Sequence, residues 1–232
     1  MQFNNWNVYN FDGAFRGMRL PMNSGDKSDS GYKIIDEGDG AFRHLKLREF
    51  IVGDNDMNLA QRLIRAGSPH DKFMRQIFVS VDVTAPLYLW KELDQHKVGT
   101  VTDSESTMHR LASNPITREC FEMDDYQNVK VFDNEPFSIN DYTDDVWDTM
   151  VDACETLRKR YIETKDMKYW KELIRILPES WLQTRTWTAN YAVLRNIVRT
   201  RKGHKLTEWK SFIDWIHKLP YSSELIFIDE EN

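Results

Sequence analysis

A strand that runs directly into a helix is the feature of this sequence that most limits its fold. Residues 76–83 read QIFVSVDV, and the apolar residues alternate so that Ile77, Val79, Val81 and Val83 share one face. Ala-Pro at 85–86 suits a helix start, and the helix is predicted to continue until Gly99. We therefore expect one face of this strand to lie in the core, with the helix following without a linker.

Apolar spacing and terminating residues predict the other elements. They are a strand over 42–52, a helix from Asp56 to a stop at Gly67, a long helix opening at Asp144, a helix over 168–176, a strand over 182–189, a helix capped by Asn190 and ended by Gly203, and a last helix over 206–219. Residues 101–142 are predicted to form loops with short helical pieces. Clusters of Gly, Ser, Asn and Asp predict a loop-rich amino-terminal cap over 1–40, within a single domain over 1–232.

Composition and missing motifs exclude several functional classes. With 31 Lys and Arg against 37 Asp and Glu, the net charge is -6, so nothing favours a nucleic-acid partner. No apolar run is long enough to cross a bilayer and no signal peptide is evident, so a soluble, cytoplasmic protein without a membrane partner is expected. Two cysteines and six scattered histidines predict neither a disulfide framework nor a metal site. The absence of GxxxxGK and GxGxxG argues against nucleotide hydrolysis and a Rossmann site.

Polar side chains gather just after the helix that is predicted to start at Ala-Pro 85–86. That helix is predicted to end in Gln95, His96 and Lys97, and Gly99 then lets the backbone approach a ligand closely. Hydroxyl and basic groups follow at Thr100, Thr102, Ser104, Ser106, Thr107, His109 and Arg110. This combination suits a phosphate or a pyrimidine. A solvated polar loop accounts for the same composition, and the spacing alone does not decide between the two.

A second polar segment lies where the strand over 182–189 leads into the following helix. Asn190, Asn196 and Arg201 fall along that helix, and guanidinium groups present planar donors to phosphates and pyrimidine carbonyl groups. The competing interpretation is a basic helix face paired with the acidic helix that opens at Asp144.

Together these segments resemble the flavin-dependent thymidylate synthase family, also called ThyX. In that family a strand leads through Ala-Pro to a helix ending in Arg-His-Arg, and this chain has Ala-Pro at 85–86 and Gln-His-Lys at 95–97. The family then shows Leu-Pro, a Thr-rich strand, Asn-x-Arg-Ser-Leu and a later Arg. The corresponding residues here are Leu177, Pro178, Thr184, Thr186, Thr188, Asn190, Leu194, Asn196 and Arg201. The resemblance covers roughly residues 56–110 and 170–216.

The resemblance implies an α/β (α+β) fold, with a twisted, largely antiparallel sheet and a helical bundle, and a homotetramer with shared active sites. The family makes dTMP from the pyrimidine nucleotide dUMP, with methylenetetrahydrofolate as carbon donor and NADPH to reduce bound FAD. Carried over by position, the FAD-binding residues are His70, His96, Lys97, Asn190 and Asn196. The resemblance makes Arg201 the catalytic cation facing the uracil ring. It assigns the nucleotide to Asp103, Ser106, Thr107 and Arg110.

Three of the departures from the family pattern remove arginines. Gln95 and Lys97 stand where the family has arginines, and Ala192 replaces the Arg of Asn-x-Arg. Lys keeps the charge but loses the bidentate fork. Three hypotheses follow. The first is a divergent ThyX-like enzyme that methylates dUMP or modifies C5 of a related pyrimidine nucleotide. The second is a noncatalytic oligomeric nucleotide-binding or regulatory protein that kept the fold and lost flavin chemistry, and the third is a structural protein without a ligand.

Overall fold

The computed structural model describes residues 1–36, 47–132 and 141–228. The strands are β1 (Gln2–Tyr9), β2 (Gly31–Asp36), β3 (Leu47–Ile51), β4 (Phe78–Pro86), β5 (Val101–Ser104) and β6 (Leu182–Asn190). The helices are α1 (Phe11–Arg19), α2 (Asp54–Ala66), α3 (Leu87–Leu93), α4 (Thr107–Ser113), α5 (Thr143–Thr164), α6 (Met167–Ile176), α7 (Tyr191–Arg201), α8 (Glu208–Ile216) and α9 (Ser222–Leu225). None of the helices in these ranges has the length and apolarity that a bilayer crossing requires.

Four strands form one sheet in the order β1-β4-β6-β5, and β2 pairs antiparallel with β3 as a hairpin in which Tyr32 lies opposite Phe50. In β4, Val79, Val81 and Val83 are buried, while Phe78, just before them, is exposed and Ser80 and Asp82, between them, are half-buried. The alternation predicted from the sequence is therefore confirmed, because alternate side chains of a strand point to opposite faces. The combination of helices with antiparallel strands confirms the expected α+β class.

The chain divides into two compact units. The first unit contains Met1–Phe3, Asp82–Gln95 and Thr102–Thr186, and the second contains Asn4–Val81, His96–Val101 and Trp187–Asn232.

The core of the first unit forms where α5 packs on α6. Cys154 of α5 and Leu173 of α6 are fully buried, and Phe121 meets Trp181 edge-on with ring centroids 5.5 Å apart. Aromatic pairs in this arrangement add to the stabilisation from apolar burial. Burial raises the pKa of the Cys154 thiol to about 11, so this cysteine stays protonated and unreactive near neutral pH.

Aromatic side chains fill the core of the second unit. The ring centroids of Phe15 in α1 and Phe73 in the 3-10 segment His70–Gln76 are 5.9 Å apart. Those of Trp187 and Phe212 of α8 are 5.7 Å apart. Helix α7 buries the side chains of Tyr191, Leu194, Ile197 and Val198. This apolar stripe at helical spacing fixes which face of α7 points away from the core, where Asn196 and Arg199 are exposed, whereas Arg195 is buried and donates to the carbonyl oxygen of Ile226.

Most elements predicted from apolar spacing are confirmed, with shifts of one to three residues at their ends. The strand predicted over 42–52 is confirmed for β3, and residues 42–46 lie outside the described residues. The prediction of irregular structure over 1–40 is wrong for 1–36, where β1, α1 and β2 form. Apolar packing outweighs the turn-forming residues there, because Phe11, Ala14, Phe15 and Met18 bury one face of α1.

Two further expectations need correction around the polar segment at 94–110. Helix α3 ends at Leu93 rather than continuing to Gly99, because Leu93 is its last buried residue and Asp94 and Gln95 form a turn at the surface. Residues 101–104 form strand β5 rather than a loop. Every residue of β5 is exposed, so its strand conformation comes from pairing with β6 at the sheet edge and leaves no hydrophobic pattern in the sequence.

Candidate functional site

The start of α7 is held by the side chain of Asn190, the last residue of β6. Its Oδ1 accepts a hydrogen bond of 3.1 Å from the backbone N–H of Val193, and its Nδ2 donates one of 3.5 Å to the carbonyl oxygen of Gly99. The first bond caps the helix, because the N–H groups of a first helical turn have no partner within the helix. The second ties the turn over 96–100 to the same helix end. The capping role predicted for Asn190 is confirmed.

Gly99 permits this close approach. Its φ is +82°, and a Cβ atom at this position would lie 2.6 Å from Nδ2 of Asn190. A side chain here would therefore strain the backbone and displace the capping amide. The close approach at Gly99 is to Asn190, a partner within the chain, and the expected approach of a ligand stays a prediction.

His96 lies at the start of the same turn, and its ring carries an unpaired polar atom. Nε2 is buried and has no hydrogen-bond partner among the described residues. Burial, and then the positive charge of Arg201, lower the pKa of His96 below its usual value. The imidazole is therefore neutral near pH 7 and can donate or accept one hydrogen bond.

Arg201 ends α7, and its guanidinium lies over the indole ring of Trp209 in α8, 4.9 Å from the ring centroid. A cation over an indole face is attracted by the ring quadrupole and is held in one orientation. Arg201 thus supplies a fixed positive charge beside His96. We call His96, Gly99, Asn190 and Arg201 the cap cluster.

The other predicted flavin positions are solvent-exposed. Lys97 lies in the same turn as His96, Asn196 faces outward from α7, and His70 begins the 3-10 segment His70–Gln76. Within the described part of the chain, the side chains of Asn196 and His70 make no hydrogen bond to the cap cluster. Six of the residues predicted for flavin binding or catalysis belong to the second unit. Of these, the structure brings together His96, Asn190 and Arg201, and Lys97 directly follows His96 in the sequence.

The predicted nucleotide-binding residues of the first unit mostly bond to their own neighbours. Arg110 donates to Oε1 of Glu105 at 2.6 Å and to the carbonyl oxygen of Leu182 at 2.9 Å. Its guanidinium also lies 5.2 Å from the ring centroid of Trp181. Thr107 accepts a bond of 3.1 Å from Nε2 of Gln183. The side chains of Arg110 and Thr107 are therefore bonded within the unit.

Glu105 is the centre of that arrangement, and sequence reasoning missed it. Its backbone N–H donates to the carbonyl oxygen of Thr184 at 3.0 Å, and its carboxylate accepts from the Thr184 N–H at 2.8 Å. We call Glu105, Thr107, Arg110, Gln183 and Thr184 the Glu105 network. Gln183 was missed as well, because partners 76 to 78 positions away leave no local signal.

Ser106 and Asp103 lie beside this network. Ser106 caps α4 by accepting a bond of 3.4 Å from the N–H of His109. Asp103 is exposed on β5 and lines an open cleft of about 430 Å³ together with the acidic Asp82 and Glu105. The predicted contacts of Asp103, Ser106, Thr107 and Arg110 with a nucleotide stay predictions.

The order of elements and the sheet define a fold that comparison with known structures identifies. A structure of thymidylate synthase X (ThyX) from Helicobacter pylori with FAD and dUMP is 18% identical to this chain, covers 100% of both chains and has a TM-score of 0.65. Another structure of the flavin-dependent thymidylate synthase ThyX from the same organism, complexed with FAD and dUMP, is 19% identical, with a TM-score of 0.63 over 97% of this chain and 98% of that chain. The chain therefore has a ThyX-like fold, as the resemblance implied. No protein-family model and no curated protein matches the sequence.

Proposed function

We propose that this protein is a flavin-dependent enzyme that modifies C5 of a pyrimidine nucleotide, with dUMP as the first substrate to test. FAD is the proposed cofactor, NADPH and methylenetetrahydrofolate are the proposed co-substrates, and a homotetramer is the proposed assembly. The support comes from a ThyX-like fold over the full chain and from the chemistry of the cap cluster. Fold alone does not establish an activity, so the cap cluster carries the argument.

The observation that carries the proposal is the unpaired Nε2 of His96. A buried polar atom without a partner destabilises the fold, and the great majority of such atoms in proteins are hydrogen-bonded. Nε2 lacks a partner among the described residues, and the fixed charge of Arg201 is close enough to lower the pKa of this ring. A neutral hydrogen-bonding group beside a fixed cation is suited to a polar ring that carries negative charge.

The residues of the second unit fit a flavin. His96 offers one hydrogen bond, Lys97 an exposed ammonium group and Asn196 an exposed carboxamide, which suit the carbonyl, ring nitrogen and diphosphate groups of FAD. When bound, the flavin supplies the redox chemistry that no amino-acid side chain provides. His96, Lys97 and Asn196 are the residues we propose to hold it, while Asn190 holds the turn over 96–100 in place.

Arg201 has a different proposed role. Activation of a pyrimidine at C5 places negative charge on the ring and its carbonyl oxygens, and a cation that is already oriented stabilises that charge without reorganisation. The indole ring of Trp209 lies against the guanidinium and favours this orientation. We therefore expect Arg201 to affect turnover as well as nucleotide affinity.

Calorimetric titration of dUMP into the wild type and two variants tests this role. Arg201→Gln should weaken dUMP binding at least about tenfold, as expected for the loss of a charge-assisted hydrogen bond. Arg199→Gln removes an exposed arginine from the same helix and should leave binding unchanged. Circular dichroism must show that both variants keep the wild-type fold. Equal losses in the two variants would mean that only the net charge of the helix matters.

Visible absorption of the natively purified protein tests the cofactor. A yellow protein that releases tritium from C5 of labelled dUMP, in the presence of NADPH and methylenetetrahydrofolate, supports the enzyme. A colourless protein that fails to bind added FAD contradicts it.

The second candidate function is noncatalytic nucleotide binding, which the replaced arginines favour. Gln95 and Lys97 are both exposed, and neither provides the planar fork of an arginine. This candidate predicts dUMP binding without FAD binding and without NADPH oxidation. A measurable NADPH oxidation rate that depends on dUMP excludes it.

A further inference from the structure

A cavity of about 380 Å³ lies in the second unit, lined by α1, the segment that follows it and the β2-β3 hairpin. None of the residues predicted to bind flavin or nucleotide lines it. Cavities of roughly 300 to 1,000 Å³ are typical of small-molecule sites, so this one has room for a ligand of one or two rings.

Aromatic side chains form its walls. Phe50 of β3 lies between Phe15 of α1, with ring centroids 6.5 Å apart, and Tyr32 of β2, at 5.4 Å. Phe15 is buried, whereas 59% of Tyr32 is exposed, so the walls run from the core to the surface. Tilted and edge-on aromatic surfaces of this kind pack well against a planar ring.

The acidic groups around the cavity already have partners. Burial, and then the negative charge of Asp12, raise the pKa of Tyr32, so the carboxylate of Asp12 lies beside the hydroxyl group of Tyr32. Asp56 is paired with Arg19 and accepts hydrogen bonds from Ser28 and from the backbone N–H of Ser30, and these three partners line the cavity. Neither carboxylate is therefore positioned as an open acceptor for a cationic ligand.

Arg16 and Ser24 offer donor groups to this cavity. The guanidinium of Arg16 is exposed and makes no hydrogen bond or ion pair within the described ranges. Ser24 is 9% exposed, and its hydroxyl group has no hydrogen-bond partner among the described residues. Arg16 stands four positions after Asp12 on α1, so it lies on the helix face that lines the cavity.

We propose that this cavity binds a small aromatic ring that carries an anionic group, with the ring against Phe50 and Tyr32 and the anion paired with Arg16. The hydroxyl group of Ser24 provides an additional donor for the bound molecule. Carboxylate and phosphate share the chemistry that Arg16 recognises. This site is separate from the proposed flavin function and stands whether or not that function is confirmed.

Ligand-observed NMR and calorimetry on the full chain test the proposal with four probes. Benzoate and phenyl phosphate carry a ring and an anion, benzyl alcohol carries the ring alone, and inorganic phosphate carries the anion alone. At least one of the first two should bind at least about tenfold more tightly than benzyl alcohol or inorganic phosphate. The preferred probe identifies the anion. Failure of both, or equal binding of benzyl alcohol, overturns the proposal.

Variants locate the binding. Arg16→Gln should weaken the preferred probe about tenfold and Arg16→Lys less, because lysine keeps the charge and loses the fork. Arg48→Gln, which removes an exposed arginine from the same hairpin but not from the cavity wall, should have no effect. Arg201→Gln should likewise leave probe affinity unchanged, and this separates the cavity from the cap cluster. An equal loss in Arg48→Gln or Arg201→Gln overturns the assignment.

A ring variant keeps the test decisive if changes at Arg16 disturb folding. Phe50→Leu retains an apolar wall and removes the aromatic face, so it should weaken the preferred probe while thermal unfolding stays close to that of the wild type. Unchanged affinity in this folded variant would overturn the placement of the ring.

Discussion

The two ends of strand β6 carry polar clusters of opposite character. At its start, the Glu105 network satisfies its own polar atoms, with Arg110, Gln183 and Thr184 all bonded to Glu105. At its end, the cap cluster holds its backbone in place through Asn190 but leaves Nε2 of His96 without a partner in the described residues. Satisfied polar networks rigidify a fold, whereas an unpaired buried group marks a position that a ligand can complete. The contrast therefore distinguishes polar groups that stabilise the fold, as in the Glu105 network, from polar groups that can still bind a ligand, as in the cap cluster.

The largest effect should come from breaking the Glu105 network. Glu105→Ala removes the acceptor of both Arg110 and the Thr184 N–H, and it leaves a partly buried guanidinium without its carboxylate. We expect the free energy of unfolding to fall by about 2–3 kcal/mol, measured by urea denaturation. Asp103→Ala, an exposed acid on the preceding strand, should change it by less than about 0.5 kcal/mol. Similar losses in both variants would show that the network is not structural.

The next effect tests the close approach at Gly99. Gly99→Ala forces a left-handed backbone on alanine and pushes its Cβ against the capping amide of Asn190, so we expect a loss of about 1–2 kcal/mol in the free energy of unfolding. Gly203→Ala is the matched control, because Gly203 has a φ of +76° and open space around the missing Cβ. It should lose about 1 kcal/mol from the backbone alone. If Gly99→Ala loses no more free energy of unfolding than Gly203→Ala, the close contact between position 99 and Asn190 does not contribute to stability.

The helix cap in the cap cluster should contribute more to the free energy of unfolding than the helix cap beside the Glu105 network. Asn190→Ala removes a buried cap with two hydrogen bonds and should lower the free energy of unfolding by about 1 kcal/mol. Ser106→Ala removes an exposed cap with one long bond and should lower it by about 0.5 kcal/mol. Thermal and urea unfolding of the two single variants measure the difference, and the reverse order would contradict it.

The smallest effect concerns acid stability. The pKa of His96 is lower in the folded state, so the unfolded chain takes up its proton first as the pH falls below the ordinary value of 6.5. Because the unfolded state then binds more protons, the free energy of unfolding decreases with falling pH in that range. His96→Gln should make this dependence shallower between pH 7.5 and 5.5 when the free energy of unfolding is measured at each pH. An unchanged slope in His96→Gln would mean that burial does not disfavour the charged imidazole.

Periodic elements could be predicted from the sequence, and contact-dependent ones could not. The alternation in β4 and the apolar stripe of α7 record burial directly in residue type, so both were predicted correctly. The side chains of strand β5 are all exposed, so its conformation depends on pairing with β6 and leaves no apolar pattern in the sequence. Helix α1 is stabilised by packing of its apolar face, which the turn-forming residues around it made hard to predict. The site divides in the same way. Asn190 could be predicted as a helix cap from its position before an apolar helix. The role of Glu105 depends on contacts with Arg110 and Thr184, which no local sequence pattern links to it.

The indole ring of Trp209, over which the guanidinium of Arg201 lies, can report binding at Arg201 through its fluorescence. Trp209 lies 4.9 Å from that guanidinium, close enough for the cation to influence its emission. A bound anion that draws the guanidinium away from the ring should alter the tryptophan fluorescence of the protein without any added dye. Loss of this response in Trp209→Phe would assign the signal, and the occupancy of Arg201 could then be followed in real time.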